Sequence, residues 1–285
     1  MLGTMAYEPF ASCMRQAMGS HYIPQYYLEG FCESSTPRII TRYEKGSPNK
    51  LTTQISSVAQ ESGFYSDAVE KFLAEEIEGP ANPVLNKIRQ RNSISITDKY
   101  VLSAYMITML KRVPESQARF KESAPQIIES VFSNLDNELL KKRSEEVEQA
   151  KAQLEANLQK IWYQQIAPHS ALVALAALNV MTWQFFTSDK DSAFLTSDNP
   201  VFFHEELGIG HQHSEVSFPI SRNVVLWATW RTDLPEGFVQ SNERMVREIN
   251  RRTVSTATRY VFYSREEEWV VNLVNKRKLK VHRMA

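Results

Sequence analysis

Two short segments of this chain carry residue types and spacings suited to chemistry. The first is His21-Tyr22-Ile23-Pro24-Gln25-Tyr26-Tyr27-Leu28-Glu29-Gly30-Phe31. Pro24 fixes its own φ and pushes Ile23 toward extended geometry, so His21 is presented from a stiff strand or turn. An imidazole held in this way ligates a metal or moves a proton near neutral pH. The plainer alternative is a histidine hydrogen-bonded inside the aromatic cluster of Tyr26, Tyr27 and Phe31. The second segment is Thr196-Ser197-Asp198-Asn199-Pro200, set between the apolar runs Phe194-Leu195 and Val201-Phe202-Phe203. Asp198 falls where a buried strand breaks into a tight turn, a favoured place for a general base or a metal ligand. An Asx turn that satisfies local amides before Pro200 uses the same residues.

Other charged groups are candidates to join these two. Glu70 and Glu78 lie eight apart on one predicted helix, about 80° and about 12 Å from each other, too far to chelate one ion unaided. Glu75 and Glu78 share a helix face, which is otherwise a solvated acidic surface. His204, His211 and His213 lie close together in a Gly-containing loop, where His-x-His spacing suits a transition metal or simply solvent. Arg244, Arg247 and Arg251 form one stripe of a late helix, with Arg252 adjacent. A second basic run covers Lys276 to Arg283. Together they could cradle phosphates, as nucleic-acid binders do, or pair with local acids. The Leu279 and Val281 alternation within that run reads as an edge strand kept soluble by lysine.

Several well-marked chemistries are missing. The chain has no Walker-type loop, no Gly-x-Gly-x-x-Gly, no His-Glu-x-x-His, no Gly-x-Ser-x-Gly and no Cys-x-x-Cys. Lys+Arg and Asp+Glu are each 33, so net charge is zero and any nucleic-acid surface must be a local basic patch. Two cysteines, Cys13 and Cys32, in 285 residues point to a reducing compartment. The first residues do not read as a secretory signal. The longest apolar stretch, Ala171 to Phe186, is short for a membrane span and is broken by Asn179 and Gln184; it reads as a buried core helix. The expectation is a cytoplasmic protein that does not enter the membrane.

The elements that must position these groups follow from period and punctuation. Residues 1–20 read as an arm. From His21 to Tyr65 the texture is β, with alternation at Arg38 to Tyr43 and a turn at Gly46-Ser47-Pro48-Asn49. Helices are predicted over Asp67 to Ile77, capped by Ser66 and ended by Gly79-Pro80, then over Asn82 to Arg91, Thr97 to Arg112 and Pro114 to Leu135. Asp136 to Tyr163 reads as one long charged helix with a seam of Leu140, Val147, Leu154 and Ile161, beside Leu158. That seam faces either its own domain or a protein partner, including a second copy of the chain. Strands return at Phe194, Val201, Glu215 to Ile220, Asn223 to Trp230, Arg259 to Ser264 and Trp269 to Val274, with a helix from Asn242 to about Ser255. The predicted fold is α+β over 21–285, one domain in which N-terminal and C-terminal strands share a sheet. The helical block spans about 66–186 and the main β part about 192–285.

The segments also carry a family resemblance. His21-Tyr22-x-Pro24-Gln25-x-Tyr27-Leu28-x-x-Phe31 resembles the signature of a domain-of-unknown-function family of bacteria and fungi. Phe64-Tyr65 with Glu70 and Glu78 resembles its second block, Arg112 before Pro114 its arginine-proline position, and Thr196 to Pro200 its third block. Phe218-Pro219-Ile220-Ser221 is similar to its fourth, and Asn250 with Arg259 to Ser264 to its closing block. The resemblance implies a site built from His21, Gln25, Glu70, Glu78, Arg112, Asp198 and Asn250.

The resulting expectation is a hydrolase, nuclease-like, acting on a phosphodiester or another anionic substrate. His21, Glu70, Glu78 and Asp198 would hold a divalent Mg²⁺, Mn²⁺ or Zn²⁺ ion that activates water. His21, Asp198 and Asn250 would act catalytically, and Gln25, Arg112, Arg244, Arg247 and Arg251 would bind substrate. A metal-free version keeps His21 as base with Asp198 orienting it. The alternative is a binding module, a sensor or adaptor in a defence or toxin system, with the 136–163 helix engaging a partner.

Overall fold

A computed structural model describes residues 19–33, 36–134, 137–189 and 193–284. The arm expected over residues 1–20 lies outside these except for Gly19 and Ser20, as does Cys13. Strand β1 (Ser20–His21) pairs antiparallel with β4 (Gln60–Glu61). Between them come helix α1 (Gln25–Glu29) and the hairpin β2 (Ile39–Glu44) and β3 (Lys50–Gln54), closed at the predicted turn. Pro24 is extended (φ −59°, ψ 137°) and stands directly before α1.

The helical block starts at α2 (Asp67–Phe72), whose Ser66 cap accepts from the Val69 amide. A π turn over Leu73–Glu78 follows and runs without a break into α3 (Gly79–Arg89). The Gly79-Pro80 stop expected from sequence therefore does not end the helix. A wide turn loosens the i→i−4 ladder where Pro80 has no N–H to give. Helix α4 (Ile96–Lys111) opens with a capping box between Ser95 and Asp98, and α5 (Pro114–Ser133) opens on a proline.

The long charged helix is divided into α6 (Asn137–Lys142), α7 (Ser144–Ala156) and α8 (Leu158–Ile166). Arg143 (φ −127°, ψ 37°) and Asn157 (φ −105°, ψ 9°) leave helical geometry. The Asn157 amide donates to the Gln153 carbonyl at 2.7 Å, so it closes α7 instead of continuing it. No residue of α7 is buried.

The apolar stretch to Phe186 is likewise not one buried helix. Helix α9 (Leu172–Val180) leaves Leu172, Val173 and Val180 exposed, and the chain then turns at Met181 into strand β5 (Thr182–Thr187). Among the described residues no helix is long and apolar enough to cross a membrane.

The remaining strands are β6 (Thr196–Ser197), β7 (Phe202–Phe203), β8 (Glu215–Ser221), β9 (Val224–Thr229), β10 (Gly237–Gln240) and β11 (Tyr260–Tyr263). Helix α10 (Glu243–Thr256) is capped by Asn242, which accepts from the Met245 amide at 3.0 Å. Trp269 to Val274, expected as a strand, instead lies within helix α11 (Glu268–Val274). Short apolar runs are ambiguous in period, and three acids at Glu266, Glu267 and Glu268 favour a helix start. No strand forms within residues 276–284.

One sheet has the order β10-β5-β9-β8-β7, with only β10 and β5 parallel. A second has the order β3-β2-β11-β6. There the N-terminal hairpin joins C-terminal β11, with Tyr43 opposite Val261, which is the shared sheet expected of this α+β chain. The main core lies between the helical block and the first sheet. Two smaller clusters flank α10, one around Tyr43, Val254 and Val261, the other around Phe186, Trp227 and Ile249.

Candidate functional site

The opening segment is tied to distant parts of the chain. The Tyr27 hydroxyl lies 2.7 Å from Thr196 Oγ1 and donates to the Pro219 carbonyl at 2.8 Å, while its ring stacks on Phe218. Arg89 donates to the carbonyls of Tyr26, Tyr27 and Ile220. Gly30 lets these parts close up, because a Cβ there would stand 2.7 Å from the Ile220 carbonyl oxygen. The segments around His21, Thr196 and Phe218 thus form one knot. His21 is half-buried, with Nε2 3.1 Å from the Ser56 carbonyl; Gln25 is half-buried at the start of α1.

Arg112, at the end of α4, is 1% exposed. Its Nη1 donates to Glu78 Oε1 at 2.7 Å, its Nη2 to the His21 carbonyl at 2.8 Å, and Tyr65 donates to the Arg112 carbonyl. Glu70 sits one turn before the π segment. Its Oε1, Arg112 Nε, Tyr105 Oη and Thr108 Oγ1 are buried and lack a hydrogen-bond partner. This is a polar layer inside the helical block, in which Arg112 pairs with Glu78.

Asp198 and Asn250 are committed to the main chain. Asp198 accepts the amides of Thr258, Arg259 and Tyr260, each at 2.8 Å. Burial pushes its carboxyl above the ordinary range, and those three donors pull against it. Asn250 Oδ1 accepts from Leu195 N at 3.0 Å, and its Nδ2 donates to the Ala193 carbonyl at 2.9 Å. Among the described residues no group of three or more His, Cys, Asp or Glu is placed to hold a metal ion. His21, Glu70, Glu78 and Asp198 therefore do not gather into one ligand set, and neither do His204, His211 and His213.

The basic residues do come together. Arg244 and Arg251, seven apart on α10, line a cavity of about 380 Å³ with Arg231, which follows β9, and Arg283 from the C-terminal run. Phe186 and Trp227 form an aromatic wall, while Glu248 and His282 line the same space. Arg231 forks onto Asp233 and Arg251 reaches Glu248 at 3.3 Å. Among the described residues no carboxylate pairs with Arg244 or Arg283. Arg247, on the same stripe of α10, lines a neighbouring cavity instead and stands 3.6 Å from Glu243.

Buried charges hold Arg283 in place. Glu215 accepts from Arg252 Nη2 at 2.5 Å, from Trp227 Nε1 at 3.1 Å and from the Met284 amide at 2.8 Å. Arg252 Nη2 also donates to the His282 carbonyl, and Glu248 Oε1 accepts the His282 amide at 2.6 Å. Glu215 and Arg252 are 1% and 0% exposed. A buried charge is tolerated when paired and hydrogen-bonded, as these are. Sequence reasoning passed over Arg231, Glu215 and Glu248. For Glu248 a signal was present, since it precedes Arg251 and Arg252 at i,i+3 and i,i+4 spacing. Arg231 sits in a loop, where no period marks it.

The fold and these linked segments define a protein of α+β class whose recognisable blocks knot one face of the core. The chain matches, over residues 20–267, the model of a family described as Protein of unknown function (DUF4238), and it belongs to that family. No curated protein and no solved structure matches it.

Proposed function

We propose that this protein binds a phosphate-bearing ligand in the cavity of Arg231, Arg244, Arg251 and Arg283. The observation that carries the reading is that four arginines from three parts of the chain line one concave space, two of them, Arg244 and Arg283, with no carboxylate partner among the described residues. Guanidinium forks match phosphate oxygens, and low-dielectric walls strengthen the attraction. This is the anionic-ligand half of the sequence expectation, moved away from Arg112 and His21.

Calorimetric titration with pyrophosphate tests it. Removing either Arg244 or Arg283 is expected to weaken binding roughly ten- to hundredfold, the scale of a charge-assisted hydrogen bond. Replacing the exposed Lys142 should leave binding unchanged. Binding that ignores both arginines would sink the reading.

A hydrolytic reading is favoured at the same place because His282 and Glu248 line it. The His282 imidazole would take a proton from water as the water oxygen bonds to phosphorus. The ester P–O bond breaks, the arginines stabilise the pentavalent charge, and the alcohol leaves with a proton returned by the imidazolium. The check is turnover of an aryl phosphodiester, lost in His282→Gln while pyrophosphate binding persists. Turnover untouched by that change removes the reading.

A further inference from the structure

The first turn of α10 separates two cavities, and Asn242 lines both. On one side is the arginine cavity. The other, about 630 Å³, contains Arg247, Arg265, Asp189, Glu243, Tyr263 and Trp269 among its walls. The charge character differs between them. In the first cavity Arg231 is paired with Asp233 and Arg251 with Glu248, which leaves Arg244 and Arg283 in excess, whereas two arginines balance two acids in the second. Arg265 is further occupied by Glu267 at 2.8 Å, and Asp189 by Arg91 at 2.9 Å. The second cavity therefore attracts no particular ion. Its distinguishing group is Trp269, 39% exposed and held edge-on by Tyr263 at 5.4 Å and 77°. A half-exposed indole fixed on a cavity wall is a stacking platform.

Resting on the phosphate reading above, we propose that the ligand is a single-stranded nucleic-acid segment crossing the first turn of α10, with a phosphate in the arginine cavity and a base against Trp269. Arg244 and Arg247 line the two neighbouring cavities and are about 4.5 Å apart along the helix axis. A strand passing over the turn thus moves from one guanidinium to the next. Alternation of a charged, backbone-binding pocket with an aromatic, charge-neutral one is the arrangement by which single strands are held without base pairing. A duplex keeps its bases stacked inside and has none to offer Trp269.

The experiment is fluorescence anisotropy of the full chain with labelled oligothymidylate and oligouridylate over a range of salt, with pyrophosphate and a blunt duplex as competitors. Single strands are expected to bind more tightly than either competitor. Trp269→Ala should weaken strand binding roughly ten- to hundredfold and leave its salt dependence unchanged. Trp269→Phe, which keeps a ring, should retain most of the affinity. Arg244→Ala with Arg283→Ala should flatten the plot of log affinity against log salt by roughly 0.7 for each phosphate that is no longer neutralised. Should Trp269→Ala fold poorly, indole fluorescence decides: strand binding must quench wild type more than Trp269→Phe. Arginine-dependent pyrophosphate binding with no gain for single strands, or with no role for Trp269, overturns this proposal and leaves the phosphate reading intact. If neither pyrophosphate nor strands bind, both fall.

Discussion

The Tyr27 hydroxyl and the Thr196 hydroxyl, 169 positions apart, meet at 2.7 Å in the buried centre of the molecule. The same Tyr27 oxygen donates to Pro219, so one phenol joins three distant segments. Tyr27→Phe keeps the ring and its stacking on Phe218 but leaves the Thr196 hydroxyl and the Pro219 carbonyl buried without this partner. The expected cost is about 1–3 kcal/mol in urea denaturation. A cycle with Thr196→Val should show coupling, because both changes act on one bond. Strictly additive losses would show that the hydrogen bond is not maintained in solution.

Arg112 and Glu78 form the charge pair of the helical polar layer. Glu78→Gln leaves the fully buried guanidinium without its carboxylate, and the expected loss is about 3–5 kcal/mol. Glu75→Gln, on an exposed residue of the same turn, should change stability by less than about 0.5 kcal/mol. Equal effects of the two substitutions would contradict the pairing.

Glu215 holds the C-terminal run through the Met284 amide and through Arg252. Glu215→Gln weakens both hydrogen bonds. Limited trypsin digestion should then cleave after Lys278 or Lys280 well before the rest of the chain, and pyrophosphate affinity should fall because Arg283 is no longer held. A tail as protected as in wild type would argue against this anchoring.

His204 is buried with its Nε2 unpartnered. Burial first, and then the Arg252 charge, push its imidazole below the ordinary value of 6.5, while Glu215 and Glu206 oppose. In the unfolded chain the ring titrates near its ordinary value. As pH falls below that value the unfolded state takes up a proton that the native state refuses. The stabilising contribution is therefore complete above 6.5 and is lost as pH falls toward the native value. His204→Phe should flatten the fall of melting temperature in that window. Parallel curves for the two proteins would exclude His204 as its source.

Much of this architecture can be read from residue patterns. The alternation at Arg38 to Tyr43, the Gly46 to Asn49 turn and the aromatic strand Tyr260 to Tyr263 announce β structure at both ends of the chain. The Arg244 and Arg251 spacing, together with the basic run to Arg283, announces the cluster of basic residues that lines one cavity. What stayed hidden has physical causes. A stretch apolar nearly all round, Leu172 to Phe186, carries no period, so nothing marks the change from helix to strand at Met181. Asn157 ends a helix through its own amide, a choice that seam counting does not register. Asp198 and Asn250 bond main-chain atoms more than fifty residues away in sequence, a reach that the local spacing behind both the Asx-turn and the catalytic reading of Asp198 does not encode. Arg231 reaches its cavity only through the path of a loop.

The shared sheet carries a consequence for the newborn chain. Strand β2 pairs on one side with its neighbour β3, made within a few residues, and on the other with β11, made more than two hundred residues later. Throughout synthesis the hairpin offers an open edge that its final partner cannot yet cover. Such an edge invites pairing with other nascent chains. Lys50 and Leu51 on β3 are exposed, whereas β2 carries Ile40 and Tyr43, buried in two different core clusters, and its free edge has to wait. Closure of this sheet therefore waits until Tyr260–Tyr263 has been made, and a ribosome-bound fragment stopped before Tyr260 should be a client for chaperones that shield unpaired strands.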